Sequence, residues 1–412
     1  MENRAFLQSL FSKYYRENPN AIQEPSRIES REFGFLLFQG KVMIRHRRFE
    51  TVEELRDFMA RVGPSDAYRS AAYYQRPDAS MDEKGWLGAD LAFDIDADHL
   101  ETACQKEHDS WRCLECGYVG RGKAPERCPN CGKSKFKEST WPCDVCLSTA
   151  KDELIKLIEM LEDDFGFSAD KMRIYFSGHR GYHLILEDEE IRSLGQEERR
   201  EIVDYVMAVG LVPELHGFAK ESTKIPSFDS PGWRGRIARG VYEVMHLATT
   251  PNGRKELKAA GVRGKTLTTL TEQGENIINM LENGKILKLP KGVGEKTWKK
   301  LLLRGAKRRA VEVDPVVTID VHRLMRLEGS LHGKTGLRKV EIPLTRLEAF
   351  DPMEEAVAFD KGELKVKIVV DVPKFHIGQE ELGPYRAGKT ETLPLAAAVL
   401  LLCKGFAEVH RD

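Results

Sequence analysis

The hexapeptide running from Leu91 to Asp96, Leu-Ala-Phe-Asp-Ile-Asp, holds two carboxylates two residues apart. On a strand that spacing puts Asp94 and Asp96 on one face and Phe93 and Ile95 on the other. Two carboxylates facing the same way repel. A bound Mg²⁺ or Mn²⁺ relieves the repulsion, because hard cations take oxygen ligands and leave positions open for phosphate. Two such ions can activate a 3′-hydroxyl and steady a leaving pyrophosphate. An isolated Asp-x-Asp is more often a polar strand end with one carboxylate capping a turn, so the motif needs supporting residues elsewhere.

Two segments offer the phosphate side. Ser177-Gly-His-Arg-Gly-Tyr-His183 has two glycines that permit close backbone approach. His179, Arg180 and His183 supply donors suited to a triphosphate; the plainer reading is a hairpin turn with incidental basic residues. In the second segment, Arg326 to Gly336, the residues Ser330, His332 and Lys334 alternate and would face one way if extended. Otherwise the block is a surface loop. It nearly spells a P-loop, but Gly329 stands one residue too close to Gly333 and no apolar helical run follows. Gly292-Val-Gly-Glu-Lys-Thr297 fails too, since Glu295 sits where glycine must precede lysine.

Seven of the eight cysteines fall between Cys104 and Cys146. Cys113-x2-Cys116 and Cys128-x2-Cys131, each pair followed by glycine, spell a zinc ribbon with room for knuckle turns around tetrahedral Zn²⁺. Cys143-x2-Cys146 is left over, and Cys104 with His108 can complete a second Zn²⁺ site, with His99 competing for the histidine position. Cys403, on an apolar helix, reads as core.

The 412 residues exceed a typical single domain. Lys plus Arg total 64 against 65 Asp plus Glu, so overall charge selects no partner, and only local clusters such as Arg45–Arg48, Arg234–Arg239 and Lys296–Arg309 are basic. The first sixteen residues lack the apolar stretch of a secretory leader. The apolar run Leu393–Cys403 is about half the roughly 18–20 residues a membrane span needs. A cytoplasmic protein without a membrane anchor is expected.

The elements that must position these groups point to an α+β fold. Helical spacing runs through residues 5–16, 51–61 (opened by a Thr51/Glu54 capping box), 148–165 and 196–211. Strands are expected over Phe33–Leu37, Lys41–Arg45 (joined by a Gln39-Gly40 turn), Leu87–Ile95, Met172–Phe176, His183–Leu186, Val311–Ile319 and Val366–Val372. A helix is expected over Val321–Leu327, and another closes the chain from Leu393. Residues 1–96, 147–212 and 311–412 would form one discontinuous catalytic domain with a mixed sheet flanked by helices. Residues 97–146 would form a zinc-binding insert and 213–310 a helical insertion.

Taken in order, Arg31-Glu-Phe-Gly, Gly85-Trp-Leu-Gly-Ala-Asp-Leu-Ala-Phe-Asp-Ile-Asp-Ala-Asp98, residues 177–183 and residues 326–336 resemble the small, catalytic subunit of the archaeal and eukaryotic type of DNA primase. The archaeal form is the nearer. The resemblance implies an enzyme that makes short RNA primers, with DNA left open, on a single-stranded DNA template from nucleoside triphosphates. It implies that Asp94 and Asp96 are two of three metal-binding aspartates. Asp314 and Asp320 are candidates for the third, and the family's spacing to the histidine matching His332 favours Asp314. Nucleotide contacts carry over to Ser177, Arg180, His183, Arg326 and His332, with Lys334 beside them and Arg45 at a basic position near the substrate. His179 stands where many relatives have a second arginine. Archaeal relatives carry a zinc knuckle after the Asp-x-Asp strand, which supports Cys104, His108, Cys143 and Cys146; the Cys113–Cys131 ribbon is extra to that pattern. The family also implies a large-subunit partner. Competing readings are a related repair-type polymerase that only extends primers, and a non-catalytic zinc-ribbon subunit that binds nucleic acid.

Overall fold

The computed structural model describes residues 2–40, 42–100, 102, 104–219, 224–250, 253–282 and 291–410; Lys41, at the start of one expected strand, lies outside them. The fold is α+β, with several antiparallel sheets and helices distributed among them. The chain folds as two compact units. One comprises residues 1–154, 170–200 and 313–412; the other comprises 155–169 and 201–312.

The first unit holds two four-stranded sheets. One runs in the order Leu324–Arg326, Asp66–Ser70, Phe33–Leu36, Met43–Arg47, and the other in the order Val340–Glu341, Met172–Phe176, Gly181–Leu186, Leu91–Asp96. Every pairing in them is antiparallel. The Leu91–Asp96 strand buries Phe93 and Ile95 while Asp94 and Asp96 stay partly exposed, as the two-residue period requires. Its neighbour Gly181–Leu186 is buried throughout, so both its faces are covered. Gly181 is needed for the close approach of these two strands, since a Cβ there would lie 2.3 Å from the Ile95 carbonyl oxygen. Behind them, buried ions interlock: Asp90 takes Arg31 at 2.8 Å and Arg69 at 3.1 Å, while Glu328 takes Arg69 at 3.1 Å and Lys339 at 2.8 Å. Burial of these charges is tolerable only because each has a partner.

The zinc-type insert forms its own three-stranded sheet, ordered Val119–Arg121, Ser110–Cys113, Phe136–Ser139. Near the C-terminus, Thr390–Pro394, Glu363–Ile368 and Ala407–Val409 form a further sheet beside the apolar helix Leu395–Lys404. The second unit is helical over its described residues, led by Trp233–Ala248 and Glu295–Arg309, with buried Arg236 bonded to Asp164 at 2.6 Å. No helix among the described residues is long and apolar enough to cross a membrane.

Several local expectations give way. Residues 311–319 are not a strand: Asp314 caps a short helix, Pro315–Ile319, by accepting from the Val316 amide at 2.9 Å. Aspartate at the cap and proline at the first position outweigh the β-branched residues that follow. Nor are residues 321–327 a helix, because Leu324–Arg326 pairs with Asp66–Ser70 as a strand. The block from Ser330 to Lys334 is folded into turns rather than extended, with the Ser330 hydroxyl donating to the Leu327 carbonyl at 2.7 Å. The helix expected over 196–211 also ends early, at Val206.

Candidate active site

The register of the sheet fixes the acidic groups. Asp94 lies opposite His183 and Asp96 opposite Gly181. The Asp314 amide donates to the Asp94 carbonyl at 2.9 Å, which brings a third carboxylate alongside the strand from the cap of its short helix. Burial pushes the Asp94 carboxyl up to about 7, with the negative charges of Asp96 and Asp314 adding to it. Asp96 is also raised by burial, against the pull of Arg180, His99, Lys334 and Lys404. Such mutual repulsion is the condition a divalent cation relieves. Asp320 is turned elsewhere: it accepts from the His322 amide at 2.9 Å, and its charge acts on Tyr74. Asp96, Asp98 and His179 form a group of possible metal ligands, whose atoms lie within 4.8 Å of one another. Asp94, Asp96 and Asp314 do not form such a group among the described residues.

Around the acids stands a cationic wall. The rings of His179 and His332 stack with centroids 5.0 Å apart. Lys404, at the end of the apolar C-terminal helix, brings Nζ to 2.9 Å from His179 Nε2. Arg326 is anchored by Asp66 at 2.8 Å, and the same carboxylate oxygen accepts from the Gly333 amide at 3.1 Å. The Lys334 amide donates to His332 Nδ1 at 3.0 Å, so in the neutral ring the proton sits on Nε2. Burial and the surrounding cations hold both His179 and His332 well below the usual histidine range. Burial likewise lowers Lys404 to about 7, helped by Arg180 and Lys334.

Other residues singled out by sequence make contacts of their own. The Ser177 hydroxyl accepts from the amides of His179 and Gly181 at 3.3 Å and thereby shapes the turn. His183 is buried and kept neutral, with Nε2 3.5 Å from Asp94. Arg180 is buried and committed: it pairs with Asp98, bonds Asp109 at 3.0 Å and reaches the Trp141 carbonyl at 3.1 Å. Arg45 joins none of this, and instead pairs with Glu32 at 3.0 Å, a carboxylate shared with Lys84. Sequence reasoning missed Lys404, Asp66, Asp98 and Asp109. Asp98 stood in the quoted block, and Lys404 fell on the helix expected from Leu393; nothing marked the other two.

Both sulfur clusters assemble. In the first, Cys104 Sγ lies 3.4 Å from Cys146 and 3.6 Å from Cys143, and His108 Nε2 lies 3.6 Å from Cys146. The other ring nitrogen of His108 meets Asp109 Oδ1 at 2.7 Å, which orients the ring toward the thiols in the way metal-bound histidines are held. In the second, Cys113 lies 3.6 Å from Cys131 and Cys116 lies 3.7 Å from Cys128. Gly117 and Gly132 take φ of 75° and 72° after the two pairs, and their amides donate to the Cys113 and Cys128 carbonyls. These are four-ligand sets of the type that holds a metal ion. His99 belongs to neither.

Comparison with known proteins identifies the family. The family model described as DNA primase small subunit matches residues 132–344, and that of the rubrerythrin rubredoxin-like domain matches residues 111–137. The chain is similar to the DNA primase small subunit PriS of Cenarchaeum symbiosum, at 34% identity over 97% of each chain. It is similar to those of Nitrosopumilus maritimus, at 32% over 98% of each, and Methanothrix thermoacetophila, at 35% over 98% of each. With three carboxylates beside a cationic wall and this likeness along nearly its whole length, the chain belongs to the DNA primase small-subunit family.

Proposed function

We propose that this chain is the catalytic subunit of a DNA primase, a nucleotidyltransferase of the DNA-directed RNA polymerase kind. It would synthesise short RNA primers on single-stranded DNA for replication. The observation that carries the reading is the Asp314–Asp94 backbone bond, which gathers three carboxylates next to a cluster of cations. Asp94, Asp96 and Asp314 would hold two Mg²⁺ or Mn²⁺ ions. Those ions would supply activation of the attacking 3′-hydroxyl and neutralisation of the leaving pyrophosphate.

The chain's own groups do the rest. Arg326, Lys334 and Lys404 would draw in the nucleoside triphosphate, and the Nε2–H of His332 would donate to it. Arg180 and Ser177 would keep the turn that bears His179 in shape, and His183 would orient Asp94. Arg45 would meet substrate only at a distance from this cluster. Cys104, His108, Cys143 and Cys146 would bind one structural Zn²⁺, and Cys113, Cys116, Cys128 and Cys131 a second. Residues 1–96, 147–212 and 311–412 would serve catalysis, with 97–146 as the zinc insert and 213–310 as a helical insertion. A large primase subunit would be the protein partner, and the cytoplasm the working compartment.

Dinucleotide synthesis from nucleoside triphosphates on a single-stranded template tests the reading. Asp96→Ala and Asp314→Ala should each abolish it, and Asp320→Ala should leave it nearly intact. Synthesis by Asp96→Ala would overturn the assignment, as would loss with Asp320→Ala alone. Wild-type protein that extends primers but starts none would be the repair-type polymerase instead.

A further inference from the structure

The Cys113–Cys131 ribbon takes no part in the site just described, yet it is built at its edge. Its central strand starts at Ser110, directly after Asp109, the carboxylate that Arg180 grips. Its third strand ends at Ser139, directly before Thr140, whose hydroxyl lies 3.5 Å from His179. Both ends of the sheet are therefore rooted beside the turn that faces Asp96.

The register separates the two faces of this sheet. Trp111 pairs with Gly120 and Glu138, and Trp111 covers that side, packed on Tyr118 and Phe136. On the opposite face Arg112 sits between Val119 and Lys137, and Arg121 and Ser139 flank Ser110. Residues paired across antiparallel strands project together, so Arg112, Arg121 and Lys137 share one face, and the strands place no carboxylate on it. All three cations are exposed, and Val119 between them is 53% exposed. Arg121 donates to the Glu107 carbonyl, while Arg112 and Lys137 have no ion pair among the described residues. From Ser110 to Ser139 the sequence has seven Lys and Arg against three Glu, in a chain whose overall charge is −1.

A row of unpaired cations with an exposed apolar side chain between them suits a chain of phosphates carrying unstacked bases. The Arg112–Lys137 row stands about 7 Å beyond the Ser110–Ser139 row at the rise of a strand. That is about one nucleotide step from the rim of the site. We propose that this open face of the ribbon sheet, presenting Arg112, Arg121 and Lys137, binds single-stranded DNA beside the active site. The inference rests on the primase reading for the identity of the strand, but the surface can be tested apart from synthesis.

The test uses the full-length zinc-loaded protein and a fluorescently labelled, unstructured DNA oligonucleotide, with anisotropy followed across a salt series. Arg112→Glu with Lys137→Glu should weaken binding roughly tenfold and shrink the log–log salt slope by about 1.4, the release expected for two phosphate contacts on a single strand. Lys123→Glu with Lys133→Glu changes the charge equally elsewhere on the ribbon and should weaken binding far less. The milder Arg112→Gln with Lys137→Gln should fall between, and zinc content is measured for every variant to show that the ribbon is intact. Unchanged affinity in the first variant would overturn the proposal, as would equal losses in the first two or an equal loss against duplex DNA. Short-template dinucleotide synthesis that survives in all the variants would leave the catalytic reading standing whichever way the binding result falls.

Discussion

The two cysteine clusters are built from the same ligand chemistry and connect to the molecule in different ways. The ribbon closes on itself: Cys113, Cys116, Cys128 and Cys131 lie within one short stretch, and the turns after each pair supply their own hydrogen bonds. The inner cluster is tied outward. His108 bonds Asp109, Asp109 holds Arg180, and Arg180 meets Asp98, whose amide bonds Asp96 at 2.9 Å. The ligand contacts of the first cluster thus stay within the ribbon, whereas those of the second run outward along a chain that reaches Asp96, one of the proposed catalytic carboxylates. Ligand spacing reveals both sites equally and says nothing about this difference.

Disrupting one cluster at a time breaks the comparison most directly. Cys143→Ser should lose one of two zinc ions and cost primer synthesis roughly a hundredfold, the upper range for loosening the support of a site. Cys128→Ser should also lose one ion but keep dinucleotide synthesis within about threefold. Metal analysis beside a synthesis assay reads both, and equal losses of activity would erase the distinction. Asp109→Asn sharpens it. Both zinc ions should remain while synthesis falls about tenfold, because an amide cannot both orient His108 and neutralise buried Arg180. If activity survives that change, the contacts carry no coupling.

The smallest effect concerns Lys404, which burial, helped by Arg180, holds at about 7. This amine is charged below that pH and neutral above it in the ligand-free protein. Its share of triphosphate affinity is therefore complete at lower pH and fades as pH rises through about 7, by at most about tenfold per unit. Calorimetric titration with a nucleoside triphosphate should show this loss together with proton uptake above that pH. Lys404→Met should bind more weakly and flatten the dependence; a slope that persists in the variant would place the titrating group elsewhere.

What sequence makes legible is set by short-range pattern. The Asp94/Asp96 alternation, the three Cys-x2-Cys pairs and the turn at Ser177–His183 each lie within a few residues. Each has a geometry that the backbone imposes locally. The segment from Val311 to Leu327 misleads in two opposite ways. Its helix is in fact announced by Asp314 and Pro315, a cap followed by its preferred neighbour. Its strand is announced by nothing, since Leu324–Arg326 is extended only because Asp66–Ser70 offers a ladder. Lys404, Asp66 and Asp109 belong to the same class. Each acts through a partner distant in sequence, Lys404 on His179, Asp66 on Arg326 and Asp109 on Arg180, and no local window contains both members of such a pair.

The bond between the Asp314 amide and the Asp94 carbonyl joins positions separated by more than half the chain. The closure runs further still, because Asn3 in the first helix exchanges hydrogen bonds with Ala407 and Val409. On a ribosome adding roughly 5–20 residues per second, tens of seconds pass between the emergence of the Asp-x-Asp strand and that of its third carboxylate. During that interval the nascent polypeptide can fold its ribbon, whose ligands are all close in sequence, but cannot assemble a metal site of three aspartates. Translation order thus acts as a timer. With the three aspartates acting as proposed, the catalytic centre comes into being only after Asp314 has been made.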